Sequence, residues 1–311
     1  MALMQVMELY EVLDDPAVSG EKVVAFFAEH GIKAESKTVE GDKGHTDFVT
    51  VVIPGTRGKL AGGDAPTLGV VGRLGGIGAR PERIGFVSDG DGALAALATA
   101  YKLGKMANLG DKLPGDVIIK THVCPDAPTR PHEPVPFMDS PVDIATMNAH
   151  EIDPAMDAVI SIDTTKGNRI INHKGIAMSP TVKEGYILKV SDDLVSIIET
   201  VTGAPAQVFP LSTQDITPYG NDLYHINSIL QPAVATSAPV VGIAITTATP
   251  VAGCATGASH VIDVELAVRF AIETAKAYGE GKCAFYDAEE YARILALYGS
   301  MTHIQTPGRN A

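Results

Sequence analysis

A chain of 311 residues has room for one large α/β domain or two modest ones. Hydrophobic residues make up 45% of it and charged residues 20%, ordinary globular usage that excludes intrinsic disorder. Lys and Arg number 24 against 37 Asp and Glu, a net charge of −13, and such a field repels phosphate polyanions, so nucleic acid is not an expected partner.

Apolar residues recur at helical spacing around Leu9 and Leu13 and again at Val23, Val24, Phe26 and Phe27, with a turn from Asp14 between them. Two short helices over about 4–31 are predicted. The N-terminus lacks a basic segment, and Asp14 and Asp15 close its apolar run early, a pattern expected of a cytoplasmic chain. Strand-like runs follow at 48–53, 68–71, 117–119, 158–162, 186–190, 208–211 and 240–245, several of them continuously apolar as doubly covered strands are. Helices are predicted over about 93–109, 192–200 and 263–277, with a C-terminal helical tail.

Alternating strands and helices imply a layered α/β sheet, and the fold expected is a three-layer α/β/α sandwich on a mixed central sheet, one domain over 1–311 with its core at about 45–280. Residues 223–262 carry no Asp, Glu, Lys or Arg, but Pro232, Pro239 and Pro250 interrupt them. The segment reads as buried strand rather than a membrane span. Cys124, Cys254 and Cys283 are odd in number and widely spaced, which does not suggest a disulfide framework.

Four clusters can carry chemistry. Ser88-Asp89-Gly90-Asp91-Gly92 places two carboxylates directly before an Ala/Leu-rich helix, where the helix dipole favours the ionised form. Such a pair suits a metal or simply starts the helix. The strand ending at His122 and Cys124 leads into a loop, 124–136, with five prolines and the groups Asp126, His132 and Glu133. Loops beyond strand ends are where open α/β sheets place ligands, although His122 is equally readable as an inward residue satisfied by the backbone. Asp163 ends another apolar strand, as a hard ligand or a turn former. Cys254 and His260 lie in a small-residue loop before the last long helix, which is otherwise a plain connection. The run Gly72-Arg73-Leu74-Gly75-Gly76-Ile77-Gly78 contains no GxGxxG, so a dinucleotide turn is not indicated.

Taken in order, strand then Gly-Arg, Asp89 before a helix, strand then Asp126, strand then Asp163, and a late His260, the chain resembles the co-catalytic zinc exopeptidase superfamily of aminopeptidases, carboxypeptidases and deacylases, and an uncharacterised bacterial family within it. The resemblance covers most of 45–280. It implies a phosphorylase/hydrolase-like α/β/α fold, and a divalent metal, zinc, held by Asp89, Asp163 and His260. Asp91 stands where the family's Asp-x-Lys-Gly-Gly has lysine and is a further metal candidate. Arg73 stands where the family's Gly-His-x-Asp has its first histidine ligand. A guanidinium does not bind zinc, and a substrate carboxylate is the expected partner of Arg73. Gly44-His45-Thr46-Asp47 spells the missing pattern, but ahead of a strand and 44 residues before Asp89. The general base stays open among Asp126, Glu133 and His122.

These readings converge on a metal-dependent hydrolase of a small amide, N-acyl amino acid or peptide, working as a homo-oligomer with a small-molecule or peptide substrate and no membrane partner. Two alternatives belong to other classes. One is a binding protein that keeps the hydrolase scaffold without its metal ligands. The other is a cofactor-independent racemase that uses Cys124 and Cys254 as paired thiol acid and base.

Overall fold

The structure is a computed structural model, and it describes residues 1–74, 76–79, 85–223, 225–226, 228–252 and 256–309. Helices α1 (Leu3–Leu13) and α2 (Gly20–Glu29) open the chain, and Ser19 starts the second by accepting the backbone N–H of Lys22 at 3.3 Å. An antiparallel hairpin follows, β1 (Ala34–Gly41) with β2 (Gly44–Ile53). Then come β3 (Leu68–Gly72), α3 (Asp91–Asn108), β4 (Val117–Val123), the small hairpin β5 (Thr129–Arg130) and β6 (Phe137–Met138), α4 (Ile144–Glu151), and β7 (Ala158–Thr164). The remainder holds β8 (Gly175–Met178), β9 (Val182–Lys183), β10 (Tyr186–Ile187), α5 (Asp192–Thr202), β11 (Val240–Thr246), α6 (Val261–Gly279) and α7 (Ala288–Tyr298).

Among the described residues these strands build a nine-stranded mixed sheet in the order β1-β2-β4-β3-β7-β11-β9-β10, with β8 also on β11. The four central strands β4, β3, β7 and β11 run parallel, and the hairpin and the short strands flank them antiparallel. Adjacent residues of each central strand face opposite layers. Val70, Ile119, Ile160 and Ile243 pack under α1, α2, α3, α5 and α6, whereas Val71, Ile118, Val159 and Ala244 face a second core with Met156, Phe209, Ile229 and Leu230. The result is the expected three-layer α/β/α arrangement. None of the helices is long and apolar enough to cross a membrane among the described residues.

Two expected strands differ. The 208–211 run forms only a single bridge between Val208 and Met178, because Pro210 removes a ladder donor and Val208 remains exposed. The 186–190 run shortens to β10. Elements that lack a long apolar run escaped the pattern, β1 and α4 among them, whereas α7 is the expected C-terminal helical tail. Strand β1 is an exposed, charged edge, as edge strands commonly are. The short helices α4 and α7 start on Asp143 and Asp287, which cap the N–H groups of Thr146 and Glu290, each at 2.9 Å. The Gly44–Asp47 motif lies inside β2 rather than ahead of it, and Asp47 there accepts Thr38 Oγ1 at 2.6 Å and the N–H of Gly20 at 2.7 Å.

The order of the central strands positions the site. From β3 the chain crosses through α3 to β4 on one side, then returns through α4 to β7 on the other. The carboxyl ends of β3 and β7 therefore flank a switch point, the crevice where open α/β sheets take ligands.

Candidate functional site at the carboxyl ends of the central strands

Gly92 explains how α3 reaches this crevice. A Cβ there would collide with the carbonyl oxygen of Arg73 and lie 2.6 Å from that of Ile162, so only glycine lets the first turn sit on the ends of β3 and β7. That seating brings Asp91, the first residue of α3, to the crevice fully buried. Its Oδ2 accepts Lys166 Nζ at 3.0 Å, and its Oδ1 accepts the Ser259 hydroxyl at 2.5 Å. Lys166 stands three residues beyond Asp163 in the turn after β7, and its side chain is 4% exposed. Burial pushes the Asp91 carboxyl up, against the opposing pull of Lys166, Ser259 and His260. Asp263, on the first turn of α6, is also raised by burial and drawn down by His260, Lys174 and Lys166.

Asp163 closes β7 beside Asp89. Its Oδ1 accepts the Thr164 N–H at 2.7 Å and its Oδ2 accepts the Ser228 hydroxyl at 2.7 Å. Burial first, then the charge of Asp89, raise its pKa to about 7, partly offset by Ser228, Arg73 and the Thr164 amide. The Thr164 hydroxyl donates to the Ser88 carbonyl at 2.7 Å, and the Ser88 N–H donates to the Thr256 carbonyl at 2.9 Å. These two bonds tie β7, the segment before α3 and the segment before α6 into one rim.

Beneath the rim lies a second polar layer. Arg73, 1% exposed at the end of β3, donates Nη1 to Glu151 on α4 and to Asn148 Oδ1 at 3.3 Å. Among the described residues, Arg73 Nη2 and Glu151 Oε1 have no hydrogen-bond partner. His122 on β4 donates Nε2–H to the Leu74 carbonyl at 3.0 Å, so Nδ1 accepts the Thr46 hydroxyl at 2.7 Å. Burial holds His122 down to about 4, with the Leu74 bond opposing and Arg73 adding to the fall, so its imidazole is neutral. It is the inward, backbone-satisfied histidine, and it does not serve as an exposed base.

The residues expected from the sequence thus separate. Asp89 joins Asp163, and Asp91 joins His260, at one end of the sheet. His260 itself is exposed at the start of α6. The expectation that Arg73 meets a substrate carboxylate is corrected: its charge is buried and Glu151 already neutralises it. Cys124 is buried in a small apolar cluster with Ala79, Val87, Ala127 and Met138. Its thiol donates to the His45 carbonyl at 3.5 Å, and burial pushes it up to about 12, which removes it as a ready thiolate. Asp126 and Glu133 are exposed on the loop beyond β4. Gly75 and Cys254 lie outside the described residues.

A zinc ion does not fit the donors that are described. Structural and catalytic zinc sites need three or four N, O or S ligands, and no group of three or more His, Cys, Asp or Glu is arranged to hold a metal among the described residues. Both oxygens of Asp91 are taken by Lys166 and Ser259, and both oxygens of Asp163 accept donors of the protein. Lys166 and Glu151 are the residues that the sequence reading missed. A lysine placed directly after Asp163-Thr164-Thr165 at the end of an apolar strand is the one signal for the first, whereas nothing in the weakly amphipathic α4 announces the second.

A groove of about 850 Å³ opens at the other end of the sheet, lined by Met156, Pro239, Tyr278, Phe285 and Tyr286. Its charged groups, Asp157 and Lys183, are paired with Lys59 at 2.7 Å and Glu184 at 3.1 Å.

The fold and site define an α/β/α protein with a buried acid–base cluster at the switch point of its sheet. The family described as Protein of unknown function (DUF1177) matches residues 37–308, and the chain belongs to that family. No curated protein matches the chain.

Proposed function

We propose that the protein hydrolyses an amide or peptide-like bond of a small substrate in the crevice between β3, β7 and α3, with Asp163 as the acid–base group. The observation that carries this reading is the state of Asp163: a buried carboxyl beside Asp89, held by Ser228 and the Thr164 amide, with its pKa at about 7. A base in that range is half ionised at neutral pH, where general catalysis is most effective. Asp163 takes a proton from water as its oxygen attacks the carbonyl carbon. It then returns that proton to the leaving nitrogen as the C–N bond breaks, giving a carboxylic acid and an amine. The resemblance to zinc exopeptidases supports the reaction class. Asp163 rather than a metal activates the water in this reading, since the described donors do not fit a zinc ion.

The test is a screen of N-acyl amino acids and dipeptides with wild type and Asp163→Asn. Turnover by the wild type that falls at least a hundredfold in the variant supports the reading. Undiminished turnover in Asp163→Asn overturns it.

One observation favours a binding protein instead. Arg73 and Lys166 are each neutralised by a carboxylate of the chain itself, Glu151 and Asp91. A substrate-like amide that raises Tm without being turned over is the signature of that second reading.

A further inference from the structure

One of the acidic groups that a cation would recruit here already holds one. Lys166 leaves β7 and buries its ammonium against Asp91 at 3.0 Å, on side chains 4% and 0% exposed. Its charge also bears on Asp263, and the exposed imidazole of His260 bears on both aspartates. Asp91 on α3 and Asp263 on the first turn of α6 thus come from distant parts of the chain and both feel the charge of Lys166. A buried lysine is retained only where it is paired, since its desolvation is costly.

We propose that Lys166 is the resident cation of this wall of the crevice: its ammonium occupies Asp91, the further metal candidate of the sequence, and supplies the positive charge that faces a substrate carbonyl oxygen. The second half of this assignment rests on the hydrolase reading, and the first half does not. An ammonium and a divalent cation compete for the same carboxylate oxygens. In the wild type both Asp91 oxygens are already taken by Lys166 and Ser259, and removal of the lysine frees one of them for a metal. Asp91 and Asp263 then offer hard oxygen ligands to a cation of the Mn²⁺ or Mg²⁺ kind, which accepts one or two carboxylates and keeps its waters.

Titration calorimetry of the full-length protein with Mn²⁺ and with Zn²⁺ tests the assignment directly. The wild type is expected to show no stoichiometric binding that Asp91→Asn abolishes. Lys166→Ala is expected to gain one Mn²⁺ site, seen as a 1:1 isotherm and as a Tm raised by roughly 5 °C at about a hundredfold excess over Kd. The double variant Lys166→Ala/Asp91→Asn is expected to lose that gain. One equivalent of metal bound by the wild type and lost in Asp91→Asn overturns the proposal, and this arm needs no lysine variant to fold. A folded Lys166→Ala protein that binds no cation overturns it as well. The two readings fail separately: an absence of turnover on every amide leaves the calorimetric result standing, whereas a wild-type metal site leaves Asp163 and its chemistry in place.

Discussion

The guanidinium of Arg73 and the carboxylate of Glu151 form an ion pair with both side chains almost wholly removed from solvent, 1% and 0% exposed. The pair joins the end of β3 to the C-terminal turn of α4 and so links the central strand to the opposite helical layer. Breaking a buried pair leaves one charge uncompensated, which typically costs about 3–5 kcal/mol. Arg73→Met and Glu151→Leu should each lower stability by about that much in urea denaturation. The double variant Arg73→Met/Glu151→Leu should recover most of the loss. A double variant as unstable as the sum of the singles would show that the charges do not act as a pair.

Asp163 makes stability depend on pH in a defined direction. Its folded pKa of about 7 lies above the model-peptide value of 3.8, so the folded state binds the extra proton between those limits. Its contribution is therefore present below pH 3.8 and is lost as pH rises toward 7, by up to about 1.4 kcal/mol per unit of pH. Asp163→Asn, which keeps the size and one acceptor oxygen for the Thr164 N–H while its Nδ2 can only donate to the Ser228 hydroxyl, should gain stability relative to wild type as pH rises through that window. A wild-type minus variant difference that stays flat from pH 4 to pH 8 would remove Asp163 from its assigned role.

His122 works in the opposite sense. Its folded pKa is held at about 4 against 6.5 in a free chain, so the unfolded state binds more protons between the two. Stability from this group is present above pH 6.5 and is lost as pH falls toward 4. The His122→Gln variant should show a shallower acid limb in denaturation curves collected from pH 6.5 to pH 4. An unchanged limb would mean that the imidazole is not kept neutral by burial.

Cys124 and Cys283 are buried and both thiols are pushed up to about 12, so at pH 8 only about one in ten thousand of either is thiolate. Neither should react with iodoacetamide in the folded protein, and both should label in denaturant. Rapid labelling of Cys124 in the native state, together with deuterium exchange into an amino acid that Cys124→Ser abolishes, would restore the racemase alternative.

Gly92→Ala should lower stability by about 1–3 kcal/mol, because its methyl group meets the Arg73 carbonyl and the Ile162 carbonyl. The same substitution at Gly110, where a Cβ meets nothing within 4 Å but φ is +90°, isolates the backbone-strain component for comparison. Equal Tm values for Gly92→Ala and wild type would show that α3 can withdraw from the strand ends.

The central strands were legible because 68–71, 117–119, 158–162 and 240–245 are apolar on both faces, the mark of burial between two helical layers. Strand β1 was not, because Glu35, Lys37 and Glu40 line a solvent-facing edge that needs no apolar period. At the site, Asp89, Asp91 and Asp163 could be read from their places at strand ends and helix starts. Their partners could not. Lys166 meets Asp91 across 75 residues and Arg73 meets Glu151 across 78, separations that leave no local spacing to read. Arg73 shows the cost of this: a side chain whose sequence position suggests an open anion hook is a structural cation because of a glutamate on a distant helix.

Helix α3 begins at Asp91, and Ala93, Ala95, Ala96, Ala98 and Ala100 leave no measurable surface to water. Methyl groups bring the sheet and the helices α1 and α6 against it on all sides, and Tyr101 donates to Glu8 Oε2 at 2.6 Å to lock its middle to α1. A rod gripped along its length cannot recoil when something is pushed against its tip. One wall of the crevice is accordingly unyielding.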